Sequence, residues 1–165
     1  MAPMDQATMI GTNKVIVNYM NCTGYDIECD PEIVKRKFEA AFKVMPKFRY
    51  KLVEFAGDYY YQEMSVQEAI SKGFVVGDQN NLKSQQDIDR FAQDNLNEKL
   101  PLDGPLWRCY LQNYPRPDGT VEAIVFFKAH HAFCDGISAT CLKLFMSEEY
   151  DRSFFVKTTD AGTLQ

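Results

Sequence analysis

Residues 121–136 read VEAIVFFKAHHAFCDG, and this stretch decides how the rest of the chain is organised. Its first ten residues are apolar at both alternating positions, which predicts a strand buried on both faces and central in its sheet. The strand ends in His130 and His131, the only histidines in 165 residues. Neighbouring strand residues point to opposite faces, so one imidazole is expected to be packed and the other exposed. Asp135-Gly136 then forms a turn that opens a helix over residues 137–152, with Ile137, Cys141, Leu144 and Phe145 on one side.

Working outward, residues 106–113 (LWRCYLQN) read as the strand that pairs with this one, across a turn built on Pro115, Pro117 and Asp118-Gly119. Residues 14–20 (KVIVNYM) form a further short β-branched strand. Asp30-Pro31-Glu32 supplies an N-cap, a proline at the first helical position and an acid in the first turn, so a helix is expected up to Pro46. Two β-prone runs, 48–55 and 59–64, flank Ala56-Gly57-Asp58 as a hairpin. Capping patterns at Ser65 and Ser84 open two more helices, to about Lys72 and Lys99, with a short strand at 74–76 between them. The pattern predicts an α/β fold, a mixed and largely antiparallel sheet with covering helices. It divides the chain into a tail at 1–13, one folded unit at 14–152, and a linker or cut end at 153–165.

Composition narrows the function classes. With 45% hydrophobic and 25% charged residues the chain can bury a core, and a net charge of -5 gives no general attraction to nucleic acid. No apolar run approaches the length of a membrane span. The N-terminus shows neither a secretory signal nor a transit peptide, which points to the cytoplasm. Cys22, Cys29, Cys109, Cys134 and Cys141 are odd in number and contain no CxxC pair, so free thiols are expected rather than a disulfide framework or a zinc site.

The chemistry available near neutral pH is concentrated at the two histidines. Adjacent strand positions do not converge on one metal ion and no third ligand is spaced to help, so no metal site is expected. The pair is compatible with a structural role or a catalytic one. Asp135, four residues past His131, can hold the loop, and Gly136 lets a backbone N–H approach a ligand at a helix N-terminus. Together these are the parts of a general-base site with an amide donor.

HHxxxDG, formed here by His130, His131, Asp135 and Gly136, is similar to the signature of the CoA-dependent acyltransferase superfamily, which includes chloramphenicol acetyltransferase and peptide-synthetase condensation domains. Two further segments resemble the wax ester synthase/diacylglycerol acyltransferase group. They are Met45-Pro46-Lys47-Phe48-Arg49-Tyr50 and Pro101-Leu102-Asp103-Gly104-Pro105-Leu106-Trp107-Arg108. The resemblance covers residues 14–150 and implies a chloramphenicol-acetyltransferase-like lobe, the N-terminal one of two.

That resemblance implies O-acyl transfer from acyl-CoA, a co-substrate rather than a bound cofactor, to an alcohol or diacylglycerol. His131 would be the general base and Gly136 the oxyanion donor, with His130, Asp135 and Arg49 supporting the site and Arg49 as the partner of Asp135. Substrate-binding residues are not identified. A second lobe or an oligomer would complete the tunnel, and contact with a membrane or lipid-droplet surface is expected of the group. The alternatives are a half-acyltransferase that serves only as an interaction subunit, or a small trimeric acetyltransferase. Trp107 and Tyr59-Tyr60-Tyr61 are expected to pack the fold. The basic residues Lys35, Arg36, Lys37, Lys43, Lys47, Arg49 and Lys51 would form a solvated face or contact lipid headgroups or CoA phosphates.

Overall fold

A computed structural model describes residues 18–77, 82, 84–116, 118–131 and 133–147. Six strands are seen: β1 (Asn18–Tyr25), β2 (Tyr50–Phe55), β3 (Asp58–Glu63), β4 (Phe74–Val76), β5 (Trp107–Pro115) and β6 (Val121–His130). The helices are α1 (Pro31–Val44), α2 (Val66–Gly73), α3 (Gln85–Asn97) and α4 (Gly136–Met146), and a 3₁₀ turn covers Pro46–Arg49. The expected tail at 1–13 and the linker at 153–165 lie outside the described residues.

β6 is central, as its two apolar faces require. The main sheet runs β1-β6-β5-β4, with β6 antiparallel to both neighbours and β4 parallel to β5. Helix α3 lies in the crossover from β4 to β5 that a parallel pair needs. The β2–β3 hairpin forms a separate two-stranded ladder. The architecture is therefore α/β with a mixed, largely antiparallel sheet, as the sequence predicts. Several boundaries move. β1 runs on to Tyr25, Phe48 belongs to the 3₁₀ turn rather than to a strand, and α4 ends at Met146 with Ser147 as its C-cap. Residues 14–17 and 148–152 of those expectations lie outside the described residues.

Side-chain alternation on β6 divides the core in two. Ala123, Val125, Phe127 and Ala129 belong to the larger cluster with α1, whereas Ile124 and Phe126 pack with Phe91 and Ile88 of α3. Trp107 lies at the centre of the larger cluster, fully buried and stacked on Phe38 at 5.4 Å, with its indole N–H donating to the Phe48 carbonyl at 2.8 Å. Gly73, at the end of α2, has no side chain because a Cβ there would collide with the Trp107 ring.

The helix ends follow the caps read from sequence. Asp30, Ser65, Ser84 and Asp135 each accept an N–H from the first turn of the helix they precede. The far end of α3 is held from the sheet: the buried Lys128 donates to the Asn95 and Glu98 carbonyls, and Asn18 donates to those of Leu96 and Glu98. Burial pushes the Lys128 ammonium below its ordinary pKa, and these carbonyls satisfy it in place of water.

Candidate active site

β6 delivers the histidine pair to a tight turn. The His130 N–H donates to Leu106 at 2.9 Å, and the His130 carbonyl accepts from the N–H groups of Phe133 at 3.0 Å and Cys134 at 3.1 Å. Phe133 is buried edge-to-face against Phe48 at 5.3 Å, so the turn is pinned to the core. His130 is 4% exposed, whereas His131 faces solvent, the division that strand alternation predicts.

Burial, and then the neighbouring His131, hold the His130 pKa below the ordinary histidine value. The unfolded chain therefore binds a proton that the folded chain resists once the pH falls below the unfolded value of about 6.5. Stability is expected to fall as the pH drops from 7 towards 5, and His130→Gln is expected to flatten that slope. Melting temperatures across this range check it.

Asp135 caps α4. Its Oδ1 accepts the Ser138 N–H at 2.7 Å, and the Ser138 hydrogen bonds hold its carboxyl below the usual carboxylate range. The expected Arg49–Asp135 pair does not form. Arg49 reaches Glu63 at 2.5 Å and donates to the carbonyls of Phe42 at 3.2 Å and Met64 at 3.4 Å. The reason is local: the hairpin register pairs Tyr50 with Glu63, which sets a carboxylate beside Arg49 while Asp135 is committed to its cap. Arg49 thus braces the hairpin and not the histidine turn. Gly136 is the first residue of α4, and among the described residues neither its N–H nor that of Ile137 is used in a hydrogen bond. These are amides of the kind that every helix start leaves without an intrahelical partner.

A residue that sequence reasoning missed connects the turn to a cavity. Tyr19 of β1 donates its hydroxyl to Cys134 Sγ at 2.8 Å, and its ring meets His131 edge-to-face at 6.3 Å between centroids. Burial, followed by the bond to Cys134, raises the phenol pKa, so the hydroxyl stays a donor. The Cys134 thiol, pushed up to about 11 chiefly by burial, stays protonated.

Tyr19 and Gly136 also line one end of a cavity of about 800 Å³ between α4, α1 and the β1–β6 face. Its walls are mainly apolar: Val34, Phe38, Val125, Phe127, Ala139 and Leu142. It follows β1 from Tyr19 to Tyr25, a run of about 20 Å at strand rise. Lys143 donates to Thr23 and Lys37 to the Met146 carbonyl on its way. At the far end, Asn113 clamps the Cys29 backbone through both the N–H at 3.0 Å and the carbonyl at 3.1 Å.

Other expectations sort themselves by contact. Trp107 is core, while Tyr60 is exposed and Tyr59 and Tyr61 pack against the core. Of the basic residues, Lys35 pairs with Glu32 and Arg49 with Glu63, and Lys47 lies 5.8 Å from the centre of the Phe133 ring beside the histidine turn. All five cysteines are free. Cys109 and Cys134 are buried, but Cys22 is exposed. No cluster able to hold a metal ion occurs among the described residues, and none of their helices is long and apolar enough to cross a membrane.

No family model matches the chain, and no curated relative matches it. Solved condensation domains do share its fold. The starter condensation domain of rhizomide synthetase superposes with a TM-score of 0.73 at 12% identity, over 91% of this chain and 36% of that one. The first condensation domain of the calcium-dependent antibiotic synthetase gives 0.66 at 14% identity, over 88% and 35%. A condensation domain of the enacyloxin polyketide synthase gives 0.56 at 18%, over 79% and 25%. The likeness covers 79–91% of this chain but only 25–36% of each solved chain. What it shows is the fold: this chain has the architecture of one part of a condensation domain.

Proposed function

We propose that the chain is the base-bearing lobe of a CoA-dependent acyltransferase, moving a fatty acyl group from acyl-CoA to an alcohol or diacylglycerol. The observation that carries this reading is the exposed His131 on a pinned turn, joined through Tyr19 to the end of a long apolar cavity. Support also comes from a solved rhizomide synthetase starter condensation domain, which was captured in complex with C8-CoA.

In this mechanism the acyl tail lies under α4 along β1, and the thioester carbonyl sits at the Tyr19 and Gly136 end. His131 takes the acceptor's hydroxyl proton while that oxygen attacks the carbonyl carbon. The new C–O bond forms, and the carbonyl oxygen takes up negative charge facing the free amides at the start of α4. Collapse then breaks the C–S bond, and His131 returns the proton to the CoA sulfur. The products are an ester and free CoA thiol. His130 stays neutral and Asp135 holds α4, so both support the turn without exchanging the proton.

The test is incubation with octanoyl-CoA and hexadecanol, following thiol release and ester formation together. Stoichiometric ester and thiol support transfer. Octanoyl-CoA binding with no ester favours the second reading, a non-catalytic interaction module. On either reading the rest of the tunnel belongs to a second lobe or another copy, and Ile137 on α4, 76% exposed, is a surface it would cover.

Tail seating makes a separate prediction. Ala139→Phe puts a ring into the cavity one turn from Gly136, so octanoyl-CoA should lose at least about tenfold in kcat/KM, each displaced methylene forfeiting about 0.8 kcal/mol. Acetyl-CoA, with no tail to seat, should lose far less. The ratio of the two, measured in wild type and variant, checks the placement.

A further inference from the structure

We propose that Tyr19 is a positioning residue for His131, a role that rests on the reading of His131 as the general base. The backbone of the turn is fixed by the Phe133 and Cys134 bonds to the His130 carbonyl, but these leave the His131 side chain to rotate into solvent. Among the described residues, the one ring packed against His131 is that of Tyr19.

Tyr19 is itself held at two points. Its backbone lies on β1 opposite Ala129, one position before the histidine pair, and its hydroxyl is tied to Cys134 Sγ at 2.8 Å on the far side of the turn. Cys134 in turn points its thiol to the Asp135 carbonyl at 3.6 Å, at the cap of α4. Strand, ring, turn and helix start are thereby linked through one side chain. Tyr19 also lines the cavity, so one side chain touches both the imidazole and the space proposed for the acyl tail. A misplacement of about 1 Å at such a point can cost on the order of 10²-fold in rate.

The experiment is NMR of the imidazole protons in the full chain, where two histidines make assignment direct. In wild type, a nuclear Overhauser contact between the Tyr19 and His131 rings and a ring-current displacement of the His131 resonances are expected. Tyr19→Leu should return those resonances to the position of an exposed histidine while the buried His130 resonances stay put, which reports that the fold survives. The same variant should lose kcat by about 10²-fold with KM for octanoyl-CoA nearly kept, since leucine preserves the apolar wall. Tyr19→Phe, which restores the ring, should restore the displaced resonance.

An absent contact in wild type, or a His131 resonance unmoved in Tyr19→Leu, overturns the proposal. The magnetic readout needs no turnover. A protein that shows the contact but transfers nothing would overturn the acyltransferase reading instead, and with it the rate effect.

Discussion

Replacing His131 by alanine should lower acyl transfer by about 10²- to 10⁴-fold, the usual contribution of a positioned general base. The same change should leave the melting temperature almost untouched. His131 faces solvent, and its turn is held by backbone bonds to His130 and by the buried Phe133 rather than by the imidazole. Exposed substitutions away from caps and cores normally stay within about 0.5 kcal/mol. Activity retained above about a tenth of wild type, in an assay that counts ester formed, would remove His131 from the chemistry. A large fall in melting temperature would instead make it a structural histidine.

Trp107→Ala should have the largest effect on stability, about 3–5 kcal/mol by loss of a buried aromatic side chain. Four other aromatic residues lean on that ring or on its indole bond: Phe38, Phe42 and Phe127 by stacking or tilted contact, and Phe48 by accepting the N–H. Truncation opens a cavity between α1 and the sheet and leaves the Phe48 carbonyl without its donor. Domains of this size are stable by only about 5–15 kcal/mol, about a fifth or more of which would vanish. Urea unfolding followed by circular dichroism measures it. A cost below about 1.5 kcal/mol would show that α1 and the sheet close over the gap.

How much of this was legible in the chain depends on the range of the interaction. Caps are local, and Asp30, Ser65, Ser84 and Asp135 all cap as their spacing to the next helix predicts. The two apolar faces of 121–130 marked a central strand, and β6 is central. Long-range partners carried no such signal. The Tyr19–Cys134 bond spans 115 residues, and no periodicity pairs a tyrosine on the first strand with a thiol near the last helix. Arg49 shows the converse: the resemblance points to the distant Asp135, while the available Glu63 stands across its own hairpin. The cavity under α4 is also a product of packing, since it depends on how far α4 stands from β1.

On the proposed mechanism the acyl tail enters the cavity beneath α4, with its thioester at the Tyr19 and Gly136 end. Backbone amide chemical-shift mapping of the full chain, titrated in parallel with octanoyl-CoA and with CoA alone, tests it most directly. Octanoyl-CoA should shift Tyr19, Thr23, Gly136, Ala139 and Leu142, all of which line the cavity, and CoA alone should leave Thr23, Ala139 and Leu142 unmoved. Equal patterns from both ligands, or no shift along β1 and α4, would contradict the account.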